Sequence, residues 1–169
     1  MLKFQDQHAL IKKFEREHAE LNNLVKSLQD EVVNKPNLVD EWSIKDIIAH
    51  LAAWNWEAID EVGRILNNKA TWHMRYADDS EGEIEFNRQQ IAKRRDLPFI
   101  KVLNEWDESF SKQIGLLRSL TDEEWLHQSG NDVYNEGSPV TVWSLFAYEY
   151  EGEGHEGGHA KQIKMIIRP

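Results

Sequence analysis

A chain of 169 residues is long enough to bury one hydrophobic core, and we expect a single domain over residues 1–169. The sequence has no cysteine, which excludes disulfide bonds, thiolate metal ligands and a cysteine nucleophile. The net charge of −10 is opposite in sign to that of most nucleic-acid-binding proteins, so we expect no nucleic-acid partner. The sequence has neither an apolar run of roughly 20 residues nor an apolar signal segment, so we expect no membrane partner and a cytoplasmic location.

Two long helices are predicted in the first half of the chain. The segment from Phe4 to Leu28 places apolar residues at heptad spacing, and His18 falls within this seam. Ser43 and Asp46 then form a capping-box pattern, which starts a second helix from Ile44 to about Leu66. One edge of this helix carries four polar or aromatic side chains: His50, Trp54, Glu57 and Glu61.

The second half of the chain predicts two further long helices. A short extra helix is predicted from Glu83 to Arg95, and Pro98 suits the first turn of a third long helix. Thr121 starts another capping-box pattern and a single helical turn, and the last helix is predicted from about Thr141 to Ile166. No segment shows the length and alternation of a strand. These elements predict an all-α fold, a four-helix bundle with long inter-helix connections and a short extra helix.

The predicted last helix contains an unusual concentration of glycine. Four of the nine glycines in the chain fall between Gly152 and Gly158. Each costs about 0.8–1.0 kcal/mol relative to alanine in a helix interior, so the four cost roughly 4 kcal/mol. Close contact with a neighbouring helix would offset this cost, and so would a metal ion bound to histidines of the segment. A glycine-rich loop is the alternative.

Two histidines in the same segment have the spacing of a metal-binding pair. His155 and His159 are four residues apart, so in a helix their imidazoles lie one turn apart on one face. The pattern also matches H-E-x-x-H, in which Glu156 would be the general base of a zinc hydrolase. Positions 160–169 contain no His, Asp, Glu or Cys, so a third ligand must lie upstream. The candidates for a third nitrogen ligand are His8, His18, His50, His73 and His127.

Bundle geometry favours His50 among these candidates, because it projects inward from the middle of a neighbouring helix. Two carboxylates, Glu149 and Glu156, lie near the histidine pair on the predicted helix. Either could orient a ligand imidazole through a hydrogen bond.

Two segments resemble the signatures of the DinB/YfiT-like superfamily. The run W-S-I-K-D-I-I-A-H-L-A-A-W at 42–54 is similar to the first signature, in which a histidine eight residues after the tryptophan is a metal ligand. The pattern H-x3-H-A-x-Q-I at 155–163 resembles the second signature, which carries two more ligands. Phe86-Asn87 and the segment 94–98 also resemble a stretch found in some members. The resemblance covers nearly the whole chain.

The resemblance implies a four-helix bundle with a three-histidine site that usually holds zinc or nickel. It implies His50, His155 and His159 as the ligands of a divalent metal. It also implies a low-molecular-weight thiol as a cofactor, and a homodimer. Three neutral imidazoles leave an open position on zinc, where water or a substrate thiolate can bind.

The favoured function is that of a metal-dependent enzyme acting on a small-molecule substrate, either a hydrolase or a low-molecular-weight-thiol transferase. Trp54 and Tyr148 lie on the same helical edges as His50 and His155, so we predict that they line the substrate site. Two alternatives stay open. One is a zincin-like hydrolase with Glu156 as general base, and the other is a non-catalytic helical bundle that binds a metal or a ligand.

Overall fold

Helices make up most of the computed structural model, which describes residues 6–72, 75, 80–134, 137–147, 149 and 152–167. The helices are α1 (Gln7–Lys26), α2 (Asp30–Val33), α3 (Ile44–Leu66), α4 (Ser80–Arg94), α5 (Phe99–Ser119), α6 (Asp122–Trp125), α7 (Val142–Phe146) and α8 (His155–Ile167). Two short strands, β1 (Gln128–Val133) and β2 (Pro139–Thr141), lie between α6 and α7.

Four of these helices, α1, α3, α5 and α8, contact one another as a bundle. α3 lies along α5, α1 lies along α8, and α4 covers part of α3. The prediction of an all-α four-helix bundle is confirmed, and α4 is the predicted short extra helix. None of the helices in the described ranges is both long enough and apolar enough to cross a bilayer.

Local sequence determines where α3 begins. The Ser43 hydroxyl accepts a hydrogen bond from the Asp46 backbone N–H at 3.1 Å, and the Asp46 carboxylate accepts one from the Ser43 backbone N–H at 2.9 Å. This reciprocal pair satisfies two backbone donors that the first turn of a helix leaves free. The predicted bounds of α3 are confirmed. Thr121 and Glu124 form the same capping box at α6, as predicted.

Two clusters of buried apolar side chains surround the two halves of α3. The first contains Ile48 of α3 and Trp106 of α5, and both side chains are fully buried. The second contains Val62 of α3 and Phe110 of α5. Between the two clusters α3 presents side chains to a cavity in the bundle: Trp54, Asn55, Glu57 and Ala58. The break between the clusters therefore creates the space for a site.

The prediction of one continuous helix at the end of the chain is wrong. In place of one helix from Thr141 to Ile166, the chain forms α7 and then α8. The described residues between them, 147, 149 and 152–154, are not helical. Gly152 has a φ of 83°, a left-handed conformation that a right-handed helix cannot contain. Only two of the four clustered glycines therefore lie inside a helix, which reduces the helical cost expected from the sequence.

Glycine allows α1 to approach the start of α8. The backbone N–H of Gly154 donates to Glu17 Oε1 at 3.0 Å. A Cβ atom added at Gly154 would lie 2.6 Å from Glu17 Oε2, and one added at Gly157 would lie 2.7 Å from Glu17 Cδ. Burial raises the pKa of Glu17, and the hydrogen bond from Gly154 opposes this rise. Close helix contact, one of the two predicted explanations, accounts for glycine at these two positions.

The prediction that the chain contains no strand is also wrong. β1 and β2 are antiparallel, with Gln128 opposite Thr141 and Val133 opposite Pro139. The register shifts between these two pairs, and Gly130 has a φ of 38°. Such an irregularity interrupts the alternation of side chains by which a strand is recognised in sequence.

Candidate metal centre

Three histidines from two helices meet beside the cavity. His50 projects from α3, and His155 and His159 lie one turn apart at the start of α8. One ring nitrogen of each lies within 4.8 Å of the other two, and His50 Nε2 is 2.8 Å from His155 Nε2. In the part of the chain that the structure describes, no other group of three His, Cys, Asp or Glu side chains converges in this way.

Asn87 of α4 determines which nitrogen of His50 faces the other histidines. Its Oδ1 atom is 2.9 Å from His50 Nδ1 and 2.8 Å from Trp54 Nε1. An indole N–H can only donate, so the Asn87 atom that faces Trp54 must be the carbonyl oxygen. His50 Nδ1 therefore carries a proton and donates to that same oxygen. The lone pair of His50 is left on Nε2, which faces His155.

Gln162 has the same relation to His159. Gln162 Oε1 is 3.0 Å from His159 Nδ1, so this oxygen can accept a hydrogen bond from Nδ1–H and leave the lone pair on Nε2. Metal-binding histidines usually donate their second N–H to such an oxygen, which holds the ring in one tautomer and one orientation. Two of the three imidazoles therefore have the hydrogen bonds that are typical of metal ligands.

All three histidines are neutral at neutral pH. Burial, followed by the charge of His159, lowers the pKa of His50 to about 3, against the hydrogen bond to Asn87. Desolvation of its ring by the surrounding protein, followed by the charges of His50 and His159, lowers the pKa of His155 well below 6.5, although part of the residue is exposed. Burial also lowers the pKa of His159, although Gln162 and Glu156 oppose this.

This donor set fits a divalent metal of the zinc type. Neutral imidazole is a preferred ligand of zinc and nickel, and binding needs no net loss of protons when the proton between the Nε2 atoms of His50 and His155 moves to His155 Nδ1. Two nitrogen atoms bound to one tetrahedral zinc lie about 3.4 Å apart. His50 Nε2 and His155 Nε2 are 2.8 Å apart, and the three candidate ligand nitrogens all lie within 4.8 Å of one another, close enough for one metal ion to contact all three. Three protein ligands also leave a coordination position open.

Glu156 lies between the two histidines in sequence, but its carboxylate contacts residues outside the histidine cluster. Its Oε1 accepts a hydrogen bond from Trp106 Nε1 at 2.7 Å, and its Oε2 lies 2.8 Å from His18 Nδ1. The other nitrogen of His18 lies 3.1 Å from Asp107 Oδ1, and its ring stacks on Phe110 at 3.7 Å. His18 is therefore a hydrogen-bonded core histidine. Both oxygens of Glu156 already have partners, which does not favour the zincin arrangement.

The three histidines open onto a cavity of about 680 Å³. Its wall combines aromatic rings with five glutamates. Trp42 and Trp54 stand beside His50, with ring centroids 4.9 Å and 6.3 Å from its imidazole. A cavity of this size and composition suits a small organic molecule.

The three histidines that the resemblance implied as ligands are brought together, and Trp54 lines the cavity beside them. Metal binding and substrate contact stay predictions.

The other candidate residues lie outside the histidine cluster or outside the described residues. Glu149 forms an ion pair with Lys13 at 2.5 Å. Tyr148, predicted to line the substrate site, lies outside the described residues. His73 does as well, and the other candidate ligands in the described part of the chain stay outside the cluster: His8, His18 and His127.

Sequence reasoning missed Asn87 and Gln162 as the residues that orient the ligands. Gln162 follows His159 by three residues, so helical spacing was a usable signal. Asn87 is 37 residues from His50, and no local pattern connects them. Both lie in segments that carried the family resemblance, but their role depends on distances that only the fold defines.

Comparison with known proteins agrees with this fold. A family model described as the DinB superfamily matches residues 13–163. The chain belongs to the DinB superfamily. The predicted relationship is confirmed, although the superfamily match identifies neither a metal nor a reaction.

The fold is also similar to a solved structure, that of the colibactin self-resistance protein ClbS in complex with a dsDNA. The TM-score is 0.73 at 12% sequence identity, and the match covers 96% of this chain and 95% of ClbS. At this identity the likeness concerns the fold. The comparison with curated proteins gives no match.

The exclusion of a nucleic-acid partner from net charge is wrong. ClbS has the same fold and is bound to a dsDNA, so this fold is compatible with such a partner. The physical reason is that nucleic-acid binding depends on where charges lie on the surface, and a total of −10 says nothing about their distribution.

Proposed function

We propose that this member of the DinB superfamily is a metal-dependent enzyme that acts on a small organic molecule, as a hydrolase or as a low-molecular-weight-thiol transferase. The observation that carries the proposal is the convergence of three neutral imidazoles beside a cavity of about 680 Å³. Membership of the superfamily supports it.

His50, His155 and His159 would hold the metal, with zinc or nickel as the favoured ion. A divalent metal bound there supplies Lewis-acid activation of water or of a thiol. Catalytic zinc sites typically have three protein ligands, whereas structural sites have four. Asn87 and Gln162 hold His50 and His159 with their lone pairs available, so the chain pre-arranges the site before any metal arrives.

The cavity wall would position the substrate. Trp42 and Trp54 provide apolar surface beside His50. Glu156 is held by Trp106 and His18, so we assign it to support of α8 instead of proton transfer. Trp42 and Trp54 would hold the apolar part of the substrate beside the three histidines.

Elemental analysis of purified protein tests the metal-binding part of the proposal. We expect one metal per chain in the wild type and a strong loss of metal in His50→Ala. His8→Ala is the matched control, because His8 lies on α1 outside the cluster, and we expect it to keep its metal. Undiminished metal in His50→Ala would remove His50 from the site.

A screen of thiols, esters and amides with metal-loaded protein tests catalysis. We expect turnover in the wild type and none in His155→Ala. If the protein binds metal but turns over none of these classes, the alternative becomes the better one. That alternative is a non-catalytic bundle that binds a metal or a ligand.

Three further measurements belong with these. The homodimer implied by the resemblance is tested by light scattering, where a mass near 19.8 kDa would indicate a monomer. Because ClbS is bound to a dsDNA, fluorescence anisotropy with a labelled duplex tests whether this chain shares that property. The cytoplasmic location stays a prediction, which microscopy of a tagged chain tests.

A further inference from the structure

Beyond the histidines, the cavity has a wall of carboxylates and tryptophans. Glu57 and Glu61 follow His50 on the same face of α3, about 10 Å and about 16 Å along the helix axis. The ring of Trp72 packs against that of Trp54, with centroids 4.9 Å apart. Glu83 also lines the cavity, one helical turn before Asn87 on α4. Together these residues form an acidic wall: Trp54, Glu57, Glu61, Trp72 and Glu83.

Within the described residues, the acidic wall has three carboxyl groups and one cation in contact with them, Arg75. The Arg75 guanidinium contacts Glu57 at 2.7 Å and Glu61 at 3.1 Å, so one cation serves two carboxyl groups. Burial raises the pKa of Glu61, and the Trp72 backbone N–H and Arg75 oppose this rise. Glu83 is exposed and has neither an ion pair nor a hydrogen bond within the described residues. The lining described for this cavity contains no lysine or arginine.

The same wall already accommodates one cation of the protein itself. The guanidinium carbon of Arg75 lies 5.8 Å from the ring centroid of Trp72, while the group also contacts Glu57. Carboxylate oxygens combined with an indole face are the usual surroundings of a bound ammonium or guanidinium group. The position of Arg75 therefore shows that the carboxylates and indole of the acidic wall stabilise a positive charge.

We propose that the small molecule bound in this cavity is an organic cation, with an ammonium or guanidinium group at the acidic wall and its reacting group at the histidines. The placing of the reacting group rests on the proposed function, whereas the preference for a cation rests on the acidic wall alone. A ligand that carries a carboxylate at this position meets Glu57 and Glu83 with no lysine or arginine in the described lining to pair with. Such a ligand binds more weakly because like charges repel.

Three probes of similar shape and different charge test the proposal: 2-phenylethylamine, 2-phenylethanol and 3-phenylpropionate. Their affinities for the purified full-length protein are measured at pH 7 by isothermal titration calorimetry. We expect the amine to bind at least about tenfold more tightly than the carboxylate, with the alcohol between them. A metal at the histidines would favour binding of the carboxylate. Tighter binding of the amine would therefore have to come from the acidic wall. Equal affinities, or tighter binding of the carboxylate, would overturn the proposal.

Charge-neutralising variants locate the effect. Glu83 is exposed, so Glu83→Gln leaves the core intact. We expect this variant to bind the amine severalfold more weakly and the alcohol as before. Glu108→Gln removes the same charge from an exposed site on α5 outside the cavity lining, and we expect no change. Glu57→Gln is the second variant at the wall, and it removes the charge of a carboxylate that contacts Arg75 at 2.7 Å. If neither wall variant lowers the amine affinity, the acidic wall is not the cation site.

These binding measurements separate the two proposals. A preference for the amine in a protein without metal or turnover would leave the acidic wall in place and refute the metal-dependent enzyme. Metal binding and turnover without a preference for the amine would support the metal-dependent enzyme and refute the cation preference of the acidic wall.

Discussion

Replacing Asn87 with alanine should weaken metal binding, although Asn87 is not itself a candidate ligand. Asn87 Oδ1 accepts from His50 Nδ1 at 2.9 Å and from Trp54 Nε1 at 2.8 Å. Without this oxygen, nothing selects the tautomer in which the lone pair of His50 is on Nε2. The metal must then bind a mixture of tautomers and a less well oriented ring.

The size of the effect follows from the contacts that are lost. Removal of a hydrogen-bonding partner behind a metal ligand typically costs 10–100-fold in affinity, which is about 1.4–2.8 kcal/mol. The variant also leaves two N–H donors without their partner, and each buried donor in that state costs about 1–3 kcal/mol of folding free energy. His50 is buried, whereas Trp54 is only half-buried and can be reached by water. We therefore expect the free energy of unfolding to fall by an amount near the lower end of the range for two buried donors.

The assay is a competition between the protein and a chromophoric zinc chelator, combined with ¹⁵N NMR of the histidine rings in metal-free protein. Asn87→Asp is the matched control, since a carboxylate accepts from both donors and cannot turn an NH₂ group toward His50. Trp54→Phe keeps an aromatic ring but removes the indole N–H, which frees the Asn87 amide to rotate. We expect near-wild-type affinity in Asn87→Asp, a loss in Asn87→Ala, and an intermediate loss in Trp54→Phe. Wild-type affinity in Asn87→Ala, or an equal loss in Asn87→Asp, would refute this reasoning.

Three further predictions concern stability. Gly157→Ala should lower the free energy of unfolding by about 1–3 kcal/mol, because the new Cβ would press on Glu17, whereas Gly63→Ala, whose Cβ meets nothing within 4 Å, should raise it by up to about 1 kcal/mol. In chelator-treated protein, the pKa of His50 is about 3 when folded and near 6.5 when unfolded, so the unfolded state binds more protons in this interval and stability falls as the pH falls. Urea unfolding should show a loss between pH 6.5 and pH 5 to which His50 contributes about 2 kcal/mol, so the loss should be smaller by about that amount in His50→Gln, where His155 and His159 still contribute. Metal removal should lower the melting temperature because the ligands join α3 to α8, and an unchanged value in a protein shown to contain metal would contradict the coupling.

The elements that sequence predicted correctly are those whose signals are local. The bounds of α3 follow from apolar spacing and from the Ser43–Asp46 capping box, which involves residues three apart. The single turn at α6 follows from Thr121 and Glu124 in the same way. Interactions within one turn of a helix are present in any chain with that local sequence, so a pattern is enough to predict them.

The glycine-rich segment shows where local patterns fail. Apolar positions before and after it are in phase, so periodicity alone continued one helix from Thr141 to Ile166. The left-handed conformation of Gly152 interrupts that helix. The requirement for glycine at 154 and 157 comes from Glu17 on α1, which is 137 residues from Gly154. A steric requirement imposed by a distant helix has no signature near the glycines themselves.

The helical character, the superfamily and the three histidines could be predicted from the sequence alone, because motif spacing and capping chemistry are properties of neighbouring residues. The packing of the helices decided which atoms of those histidines face one another. His50 and His155 are 105 residues apart, and the Asn87 oxygen that orients His50 comes from a third helix. It also decided that Glu57, Glu61 and Glu83 line one cavity with Trp54 and Trp72. The chemistry of the cavity depends on distances and burial between separate helices, and these exist only once the hydrophobic clusters have brought the helices together.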